Sequence, residues 1–203
     1  MHRNSHSKMQ WFKNTYLSTS SELNILDVGS LDRQGDFNYS DIFNVKNWTY
    51  TGLDVQGGNN VDIVVSDIYN WFEIEDNTYD VIISGQFFEH LEFFWITMSE
   101  IERVLKPGGY VCIIAPSAGP KHGGNVPNCY RFHEDGLKAM AKYVDFEVIH
   151  TSVDERKEAS PWNDALLVAR KLGSSQNKET KELNNRIDNL EGKLDLILQS
   201  IQK

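Results

Sequence analysis

The sequence predicts a doubly wound α/β fold in which a mostly parallel sheet ends on an antiparallel strand, followed by a C-terminal coiled-coil helix. Three observations carry that prediction. Short apolar runs rich in β-branched residues recur, and most are continuous rather than alternating, as in strands covered on both faces. A helical repeat fills the gap between the fourth and fifth runs, making a βαβ unit. The last two runs are separated by a polar loop with no room for a crossover helix, so they pair antiparallel.

The first five runs are NILDVG (24–29), YTGLDV (50–55), DIVVSD (62–67), YDVIISG (79–85) and GYVCIIAPS (109–117). Between the fourth and fifth, HLEFFWITMSEIERVLKPGG places Phe94, Ile101 and Leu105 at helical spacing, and KPGG supplies stop signals. After Pro116 the chain turns polar in SAGPKHGGNVPN. HEDGLKAMAKY then reads as a short helix whose early acidic residues suit its dipole. DFEVIHTSV (145–153) and DALLVARK (164–171) are the antiparallel pair. From Gly173 the composition changes. Leu183, Ile187, Leu190, Leu194, Ile197 and Ile201 fall on a and d positions, with Arg186 and Glu191 at g and the following e. The expected organisation is a globular domain over 1–172 and a linker plus oligomerisation helix over 173–203. Self-association into a homo-oligomer is preferred over packing of the stripe on the chain's own domain.

The chain has 203 residues and 40% apolar content, enough for one full-sized core. Twenty Lys and Arg against 29 Asp and Glu give a net charge of −9 with no basic run, which disfavours nucleic acid as a partner. No apolar stretch is long enough to span a bilayer, and MHRNSHSKMQWFKNTYL has no apolar signal core, so a soluble, cytoplasmic protein is expected. Cys112 and Cys129 show no metal-ligand spacing and read as reduced thiols.

In an open α/β sheet, ligands sit beyond the carboxyl ends of the strands. Gly29 ends the first run and would let backbone approach a ligand closely. Asp54 ends the second, where a carboxylate can accept both hydroxyls of an adenosine ribose. Asp67 ends the third, near where an adenine amino group would lie. Each acid alone could be a turn or capping Asp; their joint placement favours ligand binding.

NILDVGS…YTGLDV…VVSD…YDVIISGQFFEHL…EIERVLKPGGYVCIIAPS resembles the class I S-adenosylmethionine-dependent methyltransferases over residues 22–171. The start MH…S…KM.WF and the later PSAGP.H…P..CYRF are similar to bacterial methyltransferase-domain proteins linked to surface-glycan synthesis. The resemblance implies a Rossmann-like seven-stranded sheet and S-adenosylmethionine as cofactor. It implies that Asp27, Gly29 and Ser30 shape the methionine end, that Asp54 and Val55 take the ribose, and that Asp67 and Ile68 frame the adenine. Gly85 and Gln86 would border the methyl group. The family often has GxGxG where this chain has GSLDRQG, with Leu31 and Arg33 at the second and third positions. A pyrophosphate cradle is therefore not implied, which argues against a nicotinamide dinucleotide.

Methyl transfer from a sulfonium is an in-line displacement that needs alignment and, for a hydroxyl acceptor, a base. His90, His122 and His133 all read as close to strand carboxyl ends. His122, in the flexible loop after the fifth run, is preferred as base, and His133 reads as flanking a helix. Tyr130 and Arg131 are candidates to bind the acceptor. QFFEH resembles the ExxEH of certain metal-dependent O-methyltransferases, so Gln86, Glu89 and His90 could hold a divalent cation. The metal-free reading is preferred, with Glu89 and His90 orienting the acceptor or capping the helix. The expected function is O-methylation of a sugar hydroxyl in a surface glycan or its precursor. The alternatives are a phenol or other small-molecule acceptor, or a non-catalytic scaffold acting through the coiled coil.

Overall fold

A computed structural model describes residues 3–33, 35, 38–122, 124, 126–154, 162–173, 190, 194 and 198. The chain divides into two compact units, Met1–Lys171 and Leu172–Lys203.

The first unit is a seven-stranded sheet in the order β3-β2-β1-β4-β5-β7-β6. Its strands are β1 (Leu23–Val28), β2 (Trp48–Asp54), β3 (Ile63–Val64), β4 (Tyr79–Gly85), β5 (Leu105–Pro116), β6 (Phe146–Val153) and β7 (Asp164–Lys171). Strands β1 to β5 pair in parallel, and β7 runs antiparallel to both β5 and β6. The inner strands are continuous apolar runs because both faces are covered, one by each of two buried clusters. One cluster holds Leu26, Ile82, Met98, Ile101 and Leu137, with α3 (Phe94–Val104) and α4 (Glu134–Tyr143) on that face. The other holds Ile25, Ile83, Met9 and Phe12, and brings in α1 (Arg3–Tyr16) and α2 (Ser40–Phe43).

Two segments depart from the sequence expectation. The third apolar run forms only the two-residue β3, and Asp67 lies three residues beyond it in a turn rather than at a strand end. Among residues 65–78 no helix forms. Trp71, fully buried, plugs that face instead, and Arg103 of α3 clamps the segment through the carbonyls of Trp71 and Ile74 and the carboxylate of Asp76. KPGG lies inside β5, where the pairing with β4 jumps from Tyr79–Leu105 to Val81–Tyr110 and Gly108 takes φ +85. The bulge absorbs the stop signal without ending the strand.

In the second unit, Leu190, Leu194 and Leu198 are helical and exposed. Leu183, Ile187, Ile197 and Ile201 of the heptad seam lie outside the described residues, as do Arg186 and Glu191. No helix among the described residues is long and apolar enough to cross a membrane.

Candidate active site

A cleft of about 310 Å³ opens beyond the carboxyl ends of β1, β2 and β4. Asp27, Gly29, Ser30, Asp54, Val55, Gly85, Gln86 and His90 line it, together with Leu31, Asp32, Arg33, Asn38, Tyr39, Phe87 and Val126. Three carboxylates against one guanidinium favour a cationic ligand.

The β1–β2 half is built from satisfied groups. Asp54, 5% exposed, accepts from the Leu31 amide at 3.3 Å and the Gln56 amide at 3.2 Å, which fixes its carboxylate at the wall. Gly29 and Ser30 both donate their amides to the Leu53 carbonyl, and Asp32 donates to the Asn59 carbonyl. These loop N–H groups are spent on the neighbouring strand and turn, so they form no anion nest. Gly29 sits at φ +80, and a Cβ there would lie 2.2 Å from Cγ of Phe87. The glycine therefore makes room for an aromatic side chain, whereas the sequence suggested room for a ligand.

Asp27 is buried at the end of β1, and Tyr50 donates its hydroxyl to it at 2.5 Å. Burial pushes its carboxyl up to about 7; the Tyr50 hydrogen bond opposes this and the nearby Asp54 charge adds to it. Asn60, itself at φ +65, donates to the Tyr50 hydroxyl at 2.9 Å and to the Ser30 carbonyl at 3.0 Å. Ser30 closes the network by donating its hydroxyl to the Asn60 carbonyl at 2.7 Å.

The β4–β5 half is different. Gln86 takes φ +59 and donates Nε2 to buried Asp164 at 2.9 Å. Its Oε1 and both carboxylate oxygens of Glu89 are buried without a hydrogen-bond partner, and no other side-chain atom among the described residues is in that state. Glu89 lies in a 3-10 turn, Phe88–His90, and is fully buried. Burial pushes its carboxyl up to about 8, opposed first by its own backbone amide, which falls short of hydrogen-bond geometry, and then by Arg131, with Asp164 adding. His90 Nε2 and His122 Nε2 lie 3.6 and 3.7 Å from the same Glu89 oxygen. The His122 ring packs at a tilt against Trp162, with ring centroids 4.5 Å apart, and burial, then the neighbouring His90, holds its pKa below the usual value.

The structure thus gathers Asp27, Gly29, Ser30, Asp54, Val55, Gly85, Gln86 and His90 at one cleft, with Glu89 and His122 beside His90. It does not bring Asp67, Ile68, Tyr130, Arg131 or His133 to the cleft wall. Asp67 accepts from the Tyr69 amide at 2.9 Å, which is a turn role. Tyr130 donates to the Glu92 carbonyl. Arg131 staples its loop through the carbonyls of Gly119, Pro120 and Tyr130 and the side chain of Asn128. His133 is the N-cap of α4 and makes no side-chain cap bond. Residues the sequence did not single out also shape the cleft. Tyr50 and Asn60 brace Asp27, and Tyr39 covers Gly85 so closely that a Cβ there would meet its hydroxyl at 1.9 Å. A tyrosine in a strand or helix cap carries no sequence signal beyond core aromatic.

Residues 43–113 match a family described as "Methyltransferase domain". An uncharacterized methyltransferase of Schizosaccharomyces pombe is 30% identical over 143 residues, covering 58% of this chain and 50% of that protein. The chain thus spans half the length of that relative. Among solved structures, the Burkholderia thailandensis 1,6-didemethyltoxoflavin-N1-methyltransferase with bound 1,6-didemethyltoxoflavin and S-adenosylhomocysteine is 14% identical with a TM-score of 0.62, covering 84% of this chain and 78% of that one. The [4+2]-cyclase SpnF is 17% identical with a TM-score of 0.59, covering 82% of each chain. A cyclase on the same scaffold shows that the scaffold alone does not set the reaction. The matched residues and the sheet order together give this chain the Rossmann-like α/β fold of the class I methyltransferases.

Proposed function

We propose that the chain is an S-adenosylmethionine-dependent O-methyltransferase. The observation that carries this reading is the pair of buried carboxylates, Asp27 and Asp54, at the ends of adjacent parallel strands in a cleft whose loop amides are already consumed. Such a wall suits a ribose and an ammonium and offers nothing to a diphosphate. Asp54 accepts the ribose hydroxyls and Asp27 faces the methionine ammonium. In the displacement, the acceptor oxygen forms a bond to the methyl carbon as the carbon–sulfur bond breaks. The sulfur takes the electron pair and leaves as a neutral thioether, and the hydroxyl proton passes to the Glu89–His90–His122 cluster, whose His90 lines the cleft.

The acceptor reading as a sugar hydroxyl of a surface glycan or its precursor rests on the sequence resemblance. A small-molecule acceptor is the second reading, favoured by a structural neighbour named for a toxoflavin substrate.

Calorimetry with S-adenosylhomocysteine tests the cofactor assignment. Binding is expected, and Asp54→Ala should weaken it by roughly 1–3 kcal/mol through lost charge-assisted hydrogen bonds. Absence of heat at millimolar ligand overturns the methyltransferase reading in favour of a scaffold. An unchanged affinity in Asp54→Ala removes the ribose assignment.

A further inference from the structure

We propose that Glu89, His90 and His122 form a binding site for a first-row transition dication of the zinc, cobalt or manganese type, with an open coordination position facing the cleft. One ligand atom from each residue lies within 4.8 Å of the other two. The two Nε2 to Oε1 separations, 3.6 and 3.7 Å, are too long for hydrogen bonds. They are close to the roughly 3.3–3.5 Å that separates ligands placed about 2.0–2.2 Å from one tetrahedral ion. Both imidazole nitrogens therefore stand off Glu89 Oε1 at the spacing of co-ligands rather than in hydrogen-bond contact with it.

Two further observations point the donors inward. Glu89 is fully buried, yet neither carboxylate oxygen has a partner, and a carboxylate in that state calls for a donor or a cation. His90 Nδ1 lies 2.5 Å from the Pro127 carbonyl. A carbonyl cannot donate, so Nδ1 carries the proton and Nε2 presents its lone pair towards Glu89. The His90 contact is of the kind that orients imidazole ligands in metal sites. His122 Nδ1 has only long contacts, 3.4 Å from Asn128 Nδ2 and 3.5 Å from Arg131 Nη2, so a metal at Nε2 requires Nδ1 to carry the proton and these two donors to move aside.

The scaffold is assembled in advance. The Glu89 carbonyl accepts the Cys129 amide at 2.7 Å and the Tyr130 amide at 3.3 Å. Arg131 ties the Gly119 and Pro120 carbonyls to the Asn128 side chain, which holds the His122 loop against the 3-10 turn. The donor set selects the ion. Two imidazoles and one carboxylate suit zinc, cobalt, manganese or iron, whereas magnesium and calcium prefer oxygen ligands throughout. Three protein ligands leave a position open, as catalytic rather than structural sites do.

The proposal deepens the methyltransferase reading and takes its role from it. With a metal bound, its three ligands no longer serve as the proton acceptor: an acceptor hydroxyl at the open position would lose its proton to water more readily, and its oxygen would be held for in-line attack.

Untagged full-length protein, stripped with chelator, is titrated with Co²⁺ and followed by visible ligand-field absorption. Zn²⁺, Mn²⁺ and Mg²⁺ are titrated separately by calorimetry. One equivalent of Co²⁺ should bind with a four- or five-coordinate spectrum. Glu89→Gln and His122→Asn should each weaken binding by about 100-fold, and Mg²⁺ should bind far more weakly than Zn²⁺. No Co²⁺ binding in the wild type, equal binding in folded variants, or a preference for Mg²⁺ overturns the site. His122 sits on a surface loop, so its variant remains informative if Glu89→Gln fails to fold by circular dichroism. S-adenosylhomocysteine calorimetry on the same sample separates the two claims. Metal binding without cofactor binding sinks the methyltransferase reading alone, and cofactor binding without metal binding sinks the site alone.

Discussion

The two halves of the cleft are built on opposite principles. On the β1–β2 side the buried polar side chains Asp27, Ser30 and Asp54 each have a partner inside the chain. Asp54 is held by two amides, Asp27 by Tyr50, and Tyr50 and Ser30 by Asn60. On the β4–β5 side, Gln86 and Glu89 bury three acceptor atoms with no donor. The first half is preorganised by hydrogen bonds already in place. The second is incomplete, and its cost in stability persists only because the surrounding structure holds it. On the functional reading proposed above, the cofactor is assigned to the first side and a species that supplies the missing positive charge to the second.

The hinge between the halves is the contact of Gly29 with Phe87, and breaking it carries the largest expected effect. Gly29→Ala must force a Cβ into the Phe87 ring while holding φ +80, a region costly for alanine. A loss of roughly 2–4 kcal/mol in urea unfolding is expected. Adding Phe87→Ala should recover the steric part and leave the backbone strain. If Gly29→Ala alone is neutral, the two halves are not locked through this contact.

The legibility of the two halves from sequence follows the same division. Gly29, Asp54, Gly85 and Gln86 stand at strand ends, and in a parallel sheet strand ends are on one edge by topology, so their convergence needed no side-chain knowledge. Asp67 failed the same logic because β3 stops at Val64 and the chain turns before the acid arrives. The meeting of His122 with Glu89 depends on a loop path set by Arg131 and the Cys129 amide, which no periodicity encodes. Helix α1 was equally silent. Met9 and Phe12 bury it, Tyr16 packs on Tyr110, and the Ser5 hydroxyl on Tyr39 and Lys13 on the Ile42 carbonyl tie it down, all within a stretch that reads as polar. The antiparallel end of the sheet was legible because a short polar connection leaves no alternative.

Asp27 sharpens the comparison by giving the satisfied half a titratable group. Its folded carboxyl, at about 7, lies above the unfolded value, so the folded state holds a proton that the unfolded chain releases across that window. Stability of the cofactor-free protein should therefore fall as pH rises from the ordinary carboxylate range to about 7, then level off. Asp27→Asn removes that slope and should gain roughly 1–3 kcal/mol relative to wild type at pH 8. The same change should weaken S-adenosylhomocysteine binding, because the methionine ammonium loses its carboxylate. Urea unfolding at pH 6 and 8, paired with calorimetry, checks both signs. Parallel slopes in the two proteins would show that Asp27 is not the titrating group.

Tyr50→Phe should produce the smallest change, and its direction is fixed by the network. The Tyr50 hydroxyl stabilises the Asp27 carboxylate by donating to it, and its own pKa is driven far upward by burial and then by the Asp27 charge, so it remains a donor at every working pH. Asn60 keeps its bond to the Ser30 carbonyl when the hydroxyl is gone, so the loop stays braced and the loss should be only about 0.5–1.5 kcal/mol. The sharper signature is the midpoint of the pH–stability curve. It should move above about 7, because the charged form of Asp27 has lost its donor while the desolvation cost is unchanged. The midpoint for cofactor binding should move the same way, since the ammonium ligand must then displace a more tightly held proton. A downward shift would mean that Tyr50 holds Asp27 in its protonated form. In that case the β1–β2 half would not be poised for a cation before the ligand arrives.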